Sequence, residues 1–312
     1  MSCVVLHTHT CSHTSYYMNG VCEGQNGWKE GSKLKSGSLI RELAKFYHSK
    51  KALAIPVTFL ILFVSTLFLV AATYDLAIER IDASSQDLKV STAQGNMMGL
   101  DESISSVLWQ PGSSQTFDFT DSGGQLNVTP TANPLSISIT YNNISATVFN
   151  GSVGWVVYEL PYSQTADIGL FLRGDERAIV NQSGFSMTQL YIQEGAEHPE
   201  ILLRYRPFVS SIATEAQDNK TVYDVRIYVV DLNSSRLIEL MGEVPLKITC
   251  ESTESSVTPP YDVPPGVGSL FVTASFSDIS GRVSVPISNS SYSAIVNIEL
   301  VVCNVCIEMC VE

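Results

Sequence analysis

The chain has 312 residues, 45% of them hydrophobic, and a formal net charge of −13. Charge divides at one place: residues 1–52 carry seven Lys and Arg against three Asp and Glu, while residues 53–312 carry eleven against twenty-eight, a net −17. That sign excludes nucleic acid as a partner, because phosphates need a basic face, and it argues against electrostatic docking to anionic lipid.

Residues 1–36 are rich in Cys, His, Ser, Gly and Tyr without apolar periodicity and read as an unstructured part of a cytoplasmic leader, residues 1–52. His7, His9, Cys11 and His13 cluster there. Zinc sites place two spaced pairs of ligands rather than one alternating cluster, so no metal is expected. Residues 38–49 fit a short basic helix on the inner leaflet.

Residues 52–72 follow without one charged side chain. A run of that length crosses a bilayer. Lys45, His48, Lys50 and Lys51 precede it and Asp75 and Glu79 come after it, which keeps the N-terminal side in the cytoplasm and puts the rest outside. The expected organisation is a hydrophobic helix over 53–72, then an amphipathic helical extension over 73–108. The extension rests on Ala77, Ile81 and Leu88 and, more firmly, on Met97, Leu100, Ile104 and Leu108 at helical spacing. An unbroken helix from Leu53 to Leu108 would be about 80 Å long, with Gly95 and Gly99 as its weak points.

From Trp109 the pattern changes to period two with turn signals between short apolar stretches. Strands are expected at 115–119, 125–129, 135–141, 146–149, 154–159, 168–172, 200–205, 223–230 and 244–249, with 184–194 open between strand and helical turn. Together they make residues 109–250 a β-rich extracytoplasmic domain. Residues 251–268, rich in Pro and Ser, read as a linker or loop. Residues 269–312 carry further strands at 269–277, 282–287 and 292–302, which either close the first sheet or form a second one. The fold class is α+β: a long N-terminal hydrophobic helix followed by an antiparallel sheet or sandwich.

Seven Asn-X-Ser/Thr triplets begin at Asn127, Asn143, Asn150, Asn181, Asn219, Asn233 and Asn289, all beyond the apolar run. Their confinement to the side already placed outside by charge makes them candidate N-glycan acceptors. Cysteines divide the same way, with Cys250, Cys303, Cys306 and Cys310 beyond the run. Outside the cell these four are disulfide candidates with three possible connectivities. A zinc site at 303–310 would need a helix or loop and a fourth ligand. Arg173-Gly174-Asp175 spells an adhesion tripeptide, and equally a turn.

At the head of the run stand Lys50, Lys51 and Ala52, followed by Leu53. There the chain resembles the archaeal type IV pilin-like proteins, whose class III (prepilin-type) signal peptides are cut by a prepilin peptidase after a basic-basic-small motif. The resemblance extends more loosely to about Glu159, where Gly151–Glu159 is similar to a Gly-X-Val-X-Tyr segment of such families. It implies cleavage before Leu53 and assembly with other pilin-like subunits into a filament. One departure concerns assembly: Val57 stands fifth after the cut, where bacterial pilins carry a glutamate, and the glutamine common near the archaeal site is missing. Pro56 independently favours cleavage, since a proline is costly inside a longer helix but costs little in a first turn, whose N–H groups have no partner.

No Gly-rich phosphate loop, His-Glu-X-X-His or Gly-X-Ser-X-Gly occurs, and His198 is the only histidine beyond the run. A non-enzymatic protein without cofactor or metal is expected: a single-pass surface subunit whose partners are the membrane, the peptidase, other subunits and N-linked glycans. The alternative is a non-polymerising anchored β-domain for adhesion or surface-sugar binding, with Trp155 and Tyr162 as stacking candidates. An extracellular hydrolase ranks third.

Overall fold

The computed structural model describes residues 54–142, 144–161, 167–181, 186–217, 220–234, 238–287 and 293–310. The chain divides into two units, Met1–Ala72 and Thr73–Glu312. One helix, α1 (Ala54–Val107), gives residues to both, and Gly95 and Gly99 remain helical within it. Among the described residues it is the one helix long and apolar enough to cross a membrane.

Fifteen strands are described in the second unit. The first eight are β1 (Ser114–Phe119), β2 (Gln125–Tyr141), β3 (Ile144–Glu159), β4 (Phe171–Arg173), β5 (Val180–Asn181), β6 (Thr188–Glu194), β7 (Pro199–Tyr205) and β8 (Phe208–Gln217). They are followed by β9 (Lys220–Asn233), β10 (Ile238–Met241), β11 (Val244–Val257), β12 (Tyr261–Val263), β13 (Ser269–Ser275), β14 (Ser280–Pro286) and β15 (Ala294–Met309). One sheet runs β1-β11-β15-β9-β8-β5, with β12 also on β15; the other runs β14-β13-β2-β3-β7-β6-β4, with β10 also on β2. Pairing is antiparallel except between β9 and β15 and between β5 and β8. The α+β class is therefore as read from the pattern.

Several boundaries differ from expectation. Residues 125–129 and 135–141 belong to one strand, β2, whose register shifts between Thr129 and Asn133. The 251–268 stretch, expected as linker or loop, carries the second half of β11 and all of β12. β13 pairs with β2 and with β14, and β15 pairs with β9, so these last strands join the two sheets already begun and do not form a small sheet of their own. The undecided stretch at 184–194 holds β6.

The sheets enclose two apolar cores. In the first, Val90, Ala93, Met97, Leu100, Ile104 and Val107 of α1 pack with Leu126, Tyr158, Leu203, Leu232, Ile248 and Val305 from both sheets. The 4-3-4-3 spacing from Ala93 to Val107 is one helical stripe. The stripe closes with Val107; Leu108, expected to continue it, lies beyond the helix end and only partly buried. There Trp109 takes φ +67° and Ser113 Oγ donates to the Val107 carbonyl at 3.1 Å. The left-handed residue ends the helix, and the indole rests edge-on against Tyr228, 5.1 Å between ring centres.

The second core takes no residue from α1 and includes Ile137, Val153, Ile227, Val272 and Ile298. On β9, Val225, Ile227 and Val229 face this core while Val230 and Leu232 face the first; on β15, Ile298 and Leu300 face it while Cys303 and Val305 face the first. Neighbouring side chains in a strand point to opposite faces, so the cores use opposite faces of these strands. At the changeover on β9 the two sheets come into backbone contact. A Cβ on Gly154 of β3 would lie 1.8 Å from the Leu232 carbonyl oxygen, and the Gly154 N–H donates to Asp231 Oδ1 at 3.0 Å.

Candidate anchoring and assembly surface

In the first unit, the described side chains of α1 are exposed almost throughout, including Ile55, Phe59, Leu62, Phe63 and Phe68. Water solvates such a surface poorly; lipid or another apolar helix suits it. The polar side chains of the run do little to oppose this. Ser65 Oγ donates to the Leu62 carbonyl at 2.9 Å and Thr66 Oγ1 to the Phe63 carbonyl at 2.8 Å, so neither hydroxyl needs an external partner in hydrocarbon. Val57 is 46% exposed. Lys50, Lys51, Ala52 and Leu53 lie outside the described residues.

Within the second unit, residues 73–85 and 87–89 of α1 stay exposed, among them Leu76, Ile81 and Leu88 together with Asp75, Glu79, Arg80, Asp82, Asp87 and Lys89. Ala77, Ile81 and Leu88, expected as one apolar face, therefore face no strand. From Val90 the helix is seated in the first core, and a polar lock reinforces the seat. Asp101, 1% exposed, accepts hydrogen bonds from Arg173 at 2.7 Å, Thr188 Oγ1 at 2.9 Å and Tyr205 OH at 2.6 Å. Burial, with the Asp101 carboxylate next, pushes the Tyr205 pKa well above its ordinary value and keeps the phenol a donor. Arg173 also pairs with Glu102 one residue along the helix.

The adhesion tripeptide is built into this lock. Arg173 is spent on Asp101 and Glu102, and Asp175 pairs with Arg177 and with the fully buried Arg206. Gly174 holds φ +77°, where a Cβ would meet the Thr188 carbonyl oxygen at 2.2 Å. Arg206 and Gln189 also donate to the Asp175 and Arg177 carbonyls. Arg177 foremost, then Arg206, hold the Asp175 carboxyl below the usual carboxylate range. The loop serves the fold, and both ends of the tripeptide have partners within the chain.

Of the glycan acceptors, Asn150 is exposed on β3, while Asn127, Asn181 and Asn233 are half-buried. Asn127 Nδ2 donates to Glu159 Oε1 at 2.8 Å and its Oδ1 accepts from Gln125, which ties up the amide a glycan would need. Asn143, Asn219 and Asn289 lie outside the described residues.

Three of the four cysteines are brought onto two neighbouring strands, and the fourth follows directly. Cys250 on β11 and Cys303 on β15 point into the first core with their sulfurs 3.5 Å apart. Burial above all, with the Cys250 thiol also contributing, raises the Cys303 pKa to about 11. Cys306 is buried, and Cys310 follows the end of β15 half-exposed. Among the described residues no group of three or more His, Cys, Asp or Glu could hold a metal ion.

His198 sits half-buried in the β6–β7 turn, its carbonyl accepting the Gly195 N–H at 3.1 Å. Trp155 is half-buried on β3 opposite Thr129, and Tyr162 lies outside the described residues. A cleft of about 520 Å³ between residues 176–181 and β14 is lined by Glu176, Arg177, Asn181 and Arg282 without an aromatic ring, so it offers no platform for sugar stacking. The Gly-X-Val-X-Tyr segment acquires a physical account: Gly154 lets the sheets touch, Val156 fills the first core, and Tyr158 OH accepts the Gly124 N–H at 2.8 Å. Comparison with known protein families, with curated proteins and with solved structures finds no match to this chain.

Proposed function

We propose that the chain is a pilin-like cell-surface structural subunit, anchored by the apolar part of α1 and assembled through it into a filament with other pilin-like subunits. The observation that carries this reading is the division of labour along α1: apolar and exposed from Ile55 to Val70, seated among strands from Val90 to Val107. Hydrophobic surface first covered by lipid is then covered by neighbouring helices, since either environment removes it from water. A prepilin peptidase cuts between Ala52 and Leu53, and the β-domain lies outside the membrane, with Asn150 the best-placed glycan acceptor among those described. The protein does no catalysis in this reading.

The test is the N-terminal residue of the envelope-associated protein by mass spectrometry, together with electron microscopy of the purified material. A start at Leu53 and filaments bear the reading out. Membrane-embedded protein that still carries Lys50 and Lys51 overturns it. A start at Leu53 without filaments selects the second reading, a non-polymerising anchored β-domain, which Val57 favours because it brings no carboxylate to the fifth position.

A further inference from the structure

We infer that Cys250 and Cys303 form the disulfide of the mature protein and that Cys306 and Cys310 do not pair with each other. The inference rests on the proposed placement of the β-domain outside the cytoplasm, because only an oxidising compartment sustains such a bond. Its geometry, however, comes from the sheet itself.

In the β11–β15 ladder Cys250 stands opposite Val305 and Thr253 opposite Cys303, with a register shift between Cys250 and Ser252. The two cysteines are thus diagonal neighbours on one face, and their sulfurs lie 3.5 Å apart with no exposed surface on either residue. Sulfur atoms at that separation need to approach by only about 1.5 Å to reach bonding distance. Pairings within the β15 segment fail on strand geometry. Cys303 and Cys306 are three residues apart on β15, so their side chains face opposite sides. At about 3.3 Å per residue they are separated by roughly 10 Å, and Cys306 and Cys310 by roughly 13 Å, beyond the span a disulfide allows. The Cys310 N–H donates to the Pro245 carbonyl at 3.0 Å, which keeps its backbone beside β11.

Bond formation removes two electrons and two protons from the thiols. A small-molecule or protein disulfide takes them up and is reduced to two thiols, so the exchange balances without a metal or oxygen. The first attack needs a thiolate, and burial disfavours the thiolate of Cys303 once the core has closed. Oxidation therefore precedes or accompanies the seating of α1, and the finished bond is shielded from reductant.

The test uses the full chain in two preparations. Protein from the cell envelope is alkylated in denaturant without reduction, digested and examined by mass spectrometry. Protein purified in detergent is separately reduced, unfolded and refolded in glutathione disulfide, then mapped the same way. Both should yield one peptide pair joined through Cys250 and Cys303, lighter by two hydrogen atoms, with Cys306 and Cys310 alkylated. The Cys306→Ser, Cys310→Ser double variant should give the same joined pair in undiminished yield. A link to Cys306 or Cys310, or glutathione adducts on Cys250 and Cys303 without a bond between them, would overturn the pairing in any compartment. Four free thiols in the envelope preparation, with the joined pair in the refolded one, would overturn the native bond and the extracytoplasmic placement together while leaving the strand geometry intact.

Discussion

Tyr205 OH donates a 2.6 Å hydrogen bond to Asp101, a carboxylate on the buried side of the helix, and Thr188 donates to the same oxygen. A hydrogen bond to a charged group contributes about 1.5–3 kcal/mol, so Tyr205→Phe should destabilise the folded unit by that amount. Asp101→Ala should cost more, about 3–5 kcal/mol, because it leaves Arg173, Thr188 and Tyr205 without their shared acceptor. Denaturant unfolding of the purified protein measures both. Equal losses in the two variants would show that the carboxylate carries no weight beyond one hydroxyl.

Gly154→Ala tests the contact between the sheets. A methyl group there meets the Leu232 carbonyl oxygen, and backbone in both sheets must move. Overpacking costs about 1–3 kcal/mol and occasionally more, and the loss here should be at or above 3 kcal/mol. Thermal unfolding reads it, with Gly112→Ala as a comparison at a site with open space but positive φ.

The two parts of α1 should respond to truncation in opposite ways. Leu100→Ala removes a fully buried side chain and should lower stability by about 2–5 kcal/mol. Ile81→Ala and Leu88→Ala remove side chains that are 66% and 70% exposed and should change stability by less than about 0.5 kcal/mol. In the filament reading, the latter pair should instead reduce polymer yield, scored by sedimentation and microscopy.

Asp231→Asn should stabilise the protein at neutral pH. Burial raises the Asp231 pKa against the single opposing hydrogen bond from the Gly154 N–H. A carboxyl whose folded pKa lies above its unfolded one penalises folding once ionised, and the penalty is complete above the folded value. The amide keeps an oxygen acceptor for Gly154 and removes the charge. The gain in melting temperature should be largest at neutral pH and should vanish below about pH 4, where the unfolded carboxyl is also protonated. A gain independent of pH would point to packing rather than charge.

Asp175 shifts the other way. Arg177 and Arg206 depress its pKa, so its contribution is complete above the unfolded value and is lost as pH falls toward the folded one. Asp175→Asn should therefore destabilise at neutral pH, and the gap from the unaltered chain should narrow below about pH 4. Unfolding curves across that range supply the check.

Much of this architecture was legible in residue order because local rules govern it. A charge-free run is one whatever surrounds it, and the Met97, Leu100, Ile104 spacing marks a helix face without reference to a partner. Alternation marked most strands, including Val244–Thr249 and the start of β13. The Pro- and Ser-rich stretch at 251–268 misled because β11 continues as a ladder partner of β15, and ladder pairing outweighs local propensity.

Tertiary structure alone decided what these elements meet. No spacing rule brings Arg173, Thr188 and Tyr205 to Asp101, since the partners are 72 to 104 residues away. Likewise, the sequence allowed three pairings of four cysteines, and only the β11–β15 register put Cys250 beside Cys303. The apolar run determined that α1 must find a nonaqueous environment; the two sheets determined which of its turns find it inside the chain. The physical reason is range: periodicity and charge act within a few residues, whereas burial and hydrogen bonding are satisfied by whatever the folded chain brings near.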